Sequence, residues 1–104
     1  MTAALTPAGA LEYLGELSTD IRAAVILDSA GVPLAGDSSL AEPGRDLLGA
    51  TESSRIAVSL PAGRVFAARN EHNAIVIAAA SGALPALALY DLKTVLEDLR
   101  ERSR

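Results

Sequence analysis

Residues 54–80 read SRIAVSLPAGRVFAARNEHNAIVIAAA, and their pattern sets the fold. From Ser54 to Leu60 the chain alternates, with Ile56, Val58 and Leu60 toward one face and Arg55, Ala57 and Ser59 toward the other. A period of two marks a half-buried strand. Pro61-Ala62-Gly63 makes a tight hairpin turn, and residues 64–69 run back as the next strand. Asn70-Glu71-His72-Asn73 is a polar turn. Residues 74–80 are short and wholly apolar, the pattern of a strand covered on both faces. Three strands joined by short loops make an antiparallel meander.

Upstream, residues 21–28 form a second apolar strand rich in branched side chains. Ser29-Ala30-Gly31 turns the chain, with Gly31 free to take positive φ and the Asp28 carboxylate placed to bond the turn's amides. Residues 32–36 return as a strand that Pro33 confines to a sheet edge or bulge. Thr6-Pro7 starts an amphipathic helix of about residues 7–18 on Leu11, Leu14 and Leu17. A shorter helix at about 41–51 carries Leu47 and Leu48, which read as core residues or a partner groove, with one of them core. Pro43 suits its first turn, while Gly44 and Gly49 weaken it. The last helix, about 84–102, has an apolar stripe of Leu84, Ala88, Leu92, Val95, Leu96 and Leu99 and an i,i+4 pair, Asp98–Arg102.

The order αββαβββα predicts an α+β fold over residues 1–104, one domain with a five-stranded antiparallel sheet and helices on both faces. The apolar strands 21–28 and 74–80 belong side by side in the middle. Strand 32–36 takes one edge and strand 54–60 the other, outside 64–69. The first and last helices share one face and the middle helix covers the other. Ala78, Ala79 and Ala80 would let a helix approach closely. The 54–60 edge has neither proline nor lysine, devices that natural proteins use to blunt edges. It is therefore expected to pair with its own symmetry mate through Arg55, Ile56, Ala57, Val58, Ser59 and Leu60, with the two middle helices meeting above the joint.

The 104 residues contain no cysteine, which excludes a disulfide-built module, thiolate catalysis and sulfur-ligated zinc. A net charge of −4 lacks the basic excess of a general nucleic-acid binder. No apolar run approaches the ~20 residues of a membrane helix, and residues 1–7 carry no secretory pattern. A cytoplasmic protein without membrane insertion is expected. No phosphate loop or nucleophile elbow occurs. His72, the single histidine, reads as a solvated turn residue rather than a general base. Asp91 could pair with Arg64 or Arg69, or face solvent. No catalytic residue, metal site or cofactor is expected, and no enzyme.

Three stretches carry a resemblance: residues 23–35 (Ala23-Ala24-Val25-Ile26-Leu27-Asp28-Ser29-Ala30-Gly31-Val32-Pro33-Leu34-Ala35), residues 63–69 (Gly63-Arg64-Val65-Phe66-Ala67-Ala68-Arg69) and residues 83–92 (Ala83 to Leu92). In this order and spacing the chain, from about Pro7 to Arg102, resembles the Roadblock (dynein light chain) domain family, including its bacterial members. The resemblance implies a profilin-like αββαβββα domain without an active site. It implies a homo- or heterodimer paired through the third strand and middle helix, acting as an adaptor or regulator of Ras-like small GTPases. The departure is the middle helix, which is short and carries Pro43, Gly44 and Gly49 where the family has a longer alanine- and leucine-rich one. Carry-over is confined to Leu40, Arg45, Leu47 and Leu48 as a partner or dimer surface. The alternative is a profilin-like small-ligand sensor with a pocket between helix and sheet.

Overall fold

The structure, a computed structural model, describes residues 7–17, 21–61, 63–80 and 85–102. In chain order the elements are α1 (Pro7–Leu17), β1 (Ile21–Asp28), β2 (Pro33–Gly36), a single 3₁₀ turn (Ser38–Leu40), α2 (Ala41–Gly49), β3 (Arg55–Leu60), β4 (Gly63–Arg69), β5 (Asn73–Ala79) and α3 (Pro85–Arg102). The strands form one five-stranded antiparallel sheet in the order β2-β1-β5-β4-β3. The two most apolar strands lie together at the centre, and the proline strand and the alternating strand lie at the edges, as the patterning predicts.

Side-chain alternation divides the core in two. On one face Ile26, Phe66, Ala68, Ile75 and Ile77 pack against Ala10 and Leu14 of α1 and Leu92, Val95 and Leu96 of α3. On the other, Val25, Leu27, Ala67, Ala74 and Val76 pack against Ala41 and Leu48 of α2. The outer helices thus share one face and α2 covers the other.

The two faces are not equally covered. α2 has 9 residues against 18 in α3. Only Val25 to Leu27 of β1 are buried, and the strand's first half is partly open, which corrects the expectation of burial on both faces throughout. Ala23 and Ala78, paired across β1 and β5, lie on the α2 side and are half-buried. A nine-residue helix spans only about 14 Å, too little to cover the whole sheet.

The glycine in α2 has a purpose beyond its weak propensity. A Cβ on Gly44 would collide with Val76 Cγ2, so α2 rests directly on β5 at that point.

Local turns follow their side chains. Asp28 Oδ1 accepts the backbone N–H groups of Ala30 and Val32, both at 2.9 Å, and Gly31 sits at φ +85. Val32 therefore belongs to the turn, and β2 begins at Pro33. Asn70 Oδ1 accepts the N–H groups of His72 at 2.9 Å and Asn73 at 2.8 Å, leaving His72 exposed on the turn. Ser18, Ala62 and Leu84, with the side chains of Leu99 and of the Asp98–Arg102 pair, lie outside the described residues.

Candidate interaction surface

β3 ends the sheet, and its register with β4 is unbroken from Arg55↔Ala68 to Leu60↔Gly63. Ile56, Val58 and Leu60 face α2, because they pair with Ala67, Val65 and Gly63 on the Val76 side of the sheet. Arg55, Ala57 and Ser59 face the α3 side, opposite Ala68, Phe66 and Arg64. Ile56 and Val58 are half-buried, whereas Leu60 is 51% exposed, high for a leucine of its size.

Between β3 and α2 runs an open trough of about 360 Å³. Leu40, Pro43 and Leu47 form its helix wall, and Val58, Leu60 and Val65 its sheet wall. Asp46 is its one charged group. Of the helix residues singled out in the sequence, Leu40 and Leu47 are half-buried and line this trough, and Leu48 is 5% exposed and belongs to the core. Arg45 points elsewhere: its guanidinium donates to the Gly31 carbonyl, clamping α2 to the β1–β2 turn.

The sequence reading did not find a second clamp. Arg69 Nη1 donates to the Leu48 carbonyl at 2.8 Å, and Nη2 donates to Thr51 at 2.8 Å and Ser53 at 3.1 Å. One guanidinium thereby binds one carbonyl in the last turn of α2 and two in the loop entering β3. Its planar fork suits several carbonyls at once. The signal was parity: Arg69 shares the α2 face with Val65 and Ala67. The same parity separates it from Asp91 on α3, so the pairing left open between them does not occur.

Two carboxyls depart from ordinary behaviour in opposite directions. The Asp37 carboxyl is held below its usual range by the Ser39 hydroxyl, which donates to Oδ1 at 2.6 Å, and by the Ser39 N–H at 3.0 Å. Desolvation pushes Asp91 up. Among the described residues no group of three or more His, Cys, Asp or Glu could hold a metal ion. None of the described helices is long and apolar enough to cross a membrane.

Solved structures share this fold. The Roadblock/LC7 domain of Streptomyces avermitilis is similar over 85% of this chain and 92% of that one, with TM-score 0.69 at 14% identity. The gliding protein MglB of Thermus thermophilus is similar over 98% and 97%, with TM-score 0.66 at 15% identity. Profilin of Schizosaccharomyces pombe is similar over 92% and 98%, with TM-score 0.67 at 15% identity. No protein-family model and no curated relative matches the sequence. At this identity the likeness establishes the fold, an α+β architecture of Roadblock and profilin type, and the resemblance read from the sequence holds at that level.

Proposed function

We propose that this chain is a single Roadblock-like domain working as a non-enzymatic, cytoplasmic regulatory or adaptor subunit. It pairs with a second copy through β3 and binds a Ras-like small GTPase of its bacterial host. One observation carries the reading: the only long, regular sheet edge among the described strands lies beside an apolar trough with exposed Leu60. An edge of this kind supplies backbone hydrogen bonds, and the trough supplies apolar contact, the two ingredients of strand-to-strand association. The likeness to Roadblock/LC7 and MglB structures supports the Roadblock-like class of regulator. The alternative, a small-ligand sensor, calls for several converging polar groups, and Asp46 is the one charged side chain in the trough.

The test is affinity capture from the source cell on the immobilised protein, wild type and Val58→Lys, with the fold of both checked by circular dichroism. Recovery of a Ras-like GTPase by the wild type, reduced at least tenfold by Val58→Lys, is the expected result. Capture that never yields such a GTPase contradicts the reading. A thermal-shift screen in which a small metabolite raises Tm would move the sensor alternative ahead.

A further inference from the structure

The backbone of β3 also fixes how two copies can join. Arg69 N–H donates to the Ser54 carbonyl at 2.9 Å. In an antiparallel ladder the N–H and C=O of one residue point the same way, and direction alternates along the strand. Ile56, Val58 and Leu60 therefore turn their backbone groups inward to β4. Arg55, Ala57 and Ser59 turn theirs outward, to the open edge. The neighbouring hairpin agrees: Asn70 N–H donates to the Asn73 carbonyl at 2.9 Å, so Ala68 and Phe66 bond to β5 and Ala67 and Val65 to β3.

Only outward residues can bond across a seam, and in a two-fold antiparallel joint they must meet other outward residues. We infer that β3 pairs with its copy about a two-fold axis at Ala57. Ala57 then faces Ala57 of the partner subunit, and Arg55 faces Ser59 of the partner subunit. This register uses all three outward residues and makes about six hydrogen bonds, two of them from the Arg55 N–H groups, which exchange their 3.3 Å bonds to Ser53 Oγ for the seam, against about four if the axis moves to Ile56 or Val58. Moving it further, to Arg55, sets two guanidiniums directly opposite each other, a destabilising cross-strand pair.

Side chains favour the same register. On the α3 side the smallest residue of the strand sits on the axis, where its own copy is nearest. Toward α2, Ile56 meets Val58 of the partner subunit, a branched pair that suits cross-strand packing. The exposed Leu60 of each copy then lies at the ends of the joint, beside the trough.

This inference rests on the homodimer proposed above, and its test separates the two. The native chain has no cysteine, so single-cysteine variants report one position each. Ala57→Cys, Ile56→Cys and Val58→Cys are oxidised with diamide, run on non-reducing gels, and weighed by light scattering under reducing conditions. Facing residues of an antiparallel pair lie within disulfide reach, whereas diagonal neighbours about 7–8 Å apart do not. Near-complete crosslinking of Ala57→Cys, at least tenfold faster than at positions 56 and 58, is the expected result. Faster crosslinking at 56 or 58 overturns the register and leaves edge pairing standing. A reduced dimer that crosslinks at none of the three places the interface elsewhere and overturns both. Monomers under reducing conditions overturn the homodimer itself.

Discussion

At one end of the sheet β2 offers four residues, one of them a proline, with a register break opposite Ile26 and Leu27. At the other, β3 offers six residues in unbroken register without proline or lysine. Both edges expose apolar side chains, Leu34 at 47% and Leu60 at 51%. Exposure alone therefore does not distinguish them. The backbone does: Pro33 has no N–H to donate, and the bulge twists the strand away from a flat partner. β3 also has a helix beside it that leaves a trough, held in place by Arg69 and Arg45. The two edges thus differ in ladder regularity and in the element that flanks them, and on these grounds β3 is the proposed interaction edge.

The same substitution placed at each edge gives the sharpest contrast. Val58→Lys is expected to dissociate the proposed dimer, with at least a hundredfold weaker self-association by analytical ultracentrifugation. Leu34→Lys is expected to leave both mass and stability unchanged, since surface substitutions away from special features stay within about 0.5 kcal/mol. Equal dissociation by both would erase the distinction between the edges.

The flanking helix can be disturbed without touching β3. Gly44→Val inserts a branched side chain against Val76, and overpacking of this kind costs about 1–3 kcal/mol in chemical denaturation. Arg69→Met takes the donor from the carbonyls of Thr51 and Ser53 and leaves that of Leu48 with backbone N–H contacts alone, and about 1–3 kcal/mol is expected to be lost. Faster hydrogen exchange confined to residues 48–56 would show that the loss acts on the entrance to β3. Uniform acceleration through β1 and β5 would instead make Arg69 a general stabiliser.

The smallest effects concern the two carboxyls. Asp37 closes the β2 end of the sheet through its bonds to Ser39, and its lowered pKa means that its contribution is present above the ordinary aspartate value and lost as pH falls through the folded one. Asp91 has the opposite sign: its folded state prefers the proton, so its contribution grows on acidification through the raised value. Carboxyl carbon NMR should place the Asp37 midpoint below that of Asp91. Coincident midpoints would contradict both local geometries.

Much of the fold was legible because apolar patterning is a direct record of burial. The runs at 21–28 and 74–80 required a central place, Pro33 required an edge or bulge, and strand order followed. The turn roles of Asp28 and Asn70–Asn73 followed from short polar side chains that bond nearby amides. Tertiary reach was not legible. Nothing local to Arg69 announces carbonyls at residues 48, 51 and 53, and Arg45 reads as a surface cation until the β1–β2 turn is beside it. Gly44 reads as a weak point in a helix until Val76 is seen beneath it. The trough was half visible: Leu40, Leu47, Val58 and Leu60 were named, and Val65 and Pro43 were recognised only when strand and helix were set side by side.

The most direct test of the account is the solution mass of the wild-type chain by light scattering at micromolar concentration. The account predicts twice the 10.7 kDa of one chain, falling to one chain's mass in Val58→Lys with the circular dichroism spectrum retained. A wild-type mass of one chain would contradict edge pairing through β3.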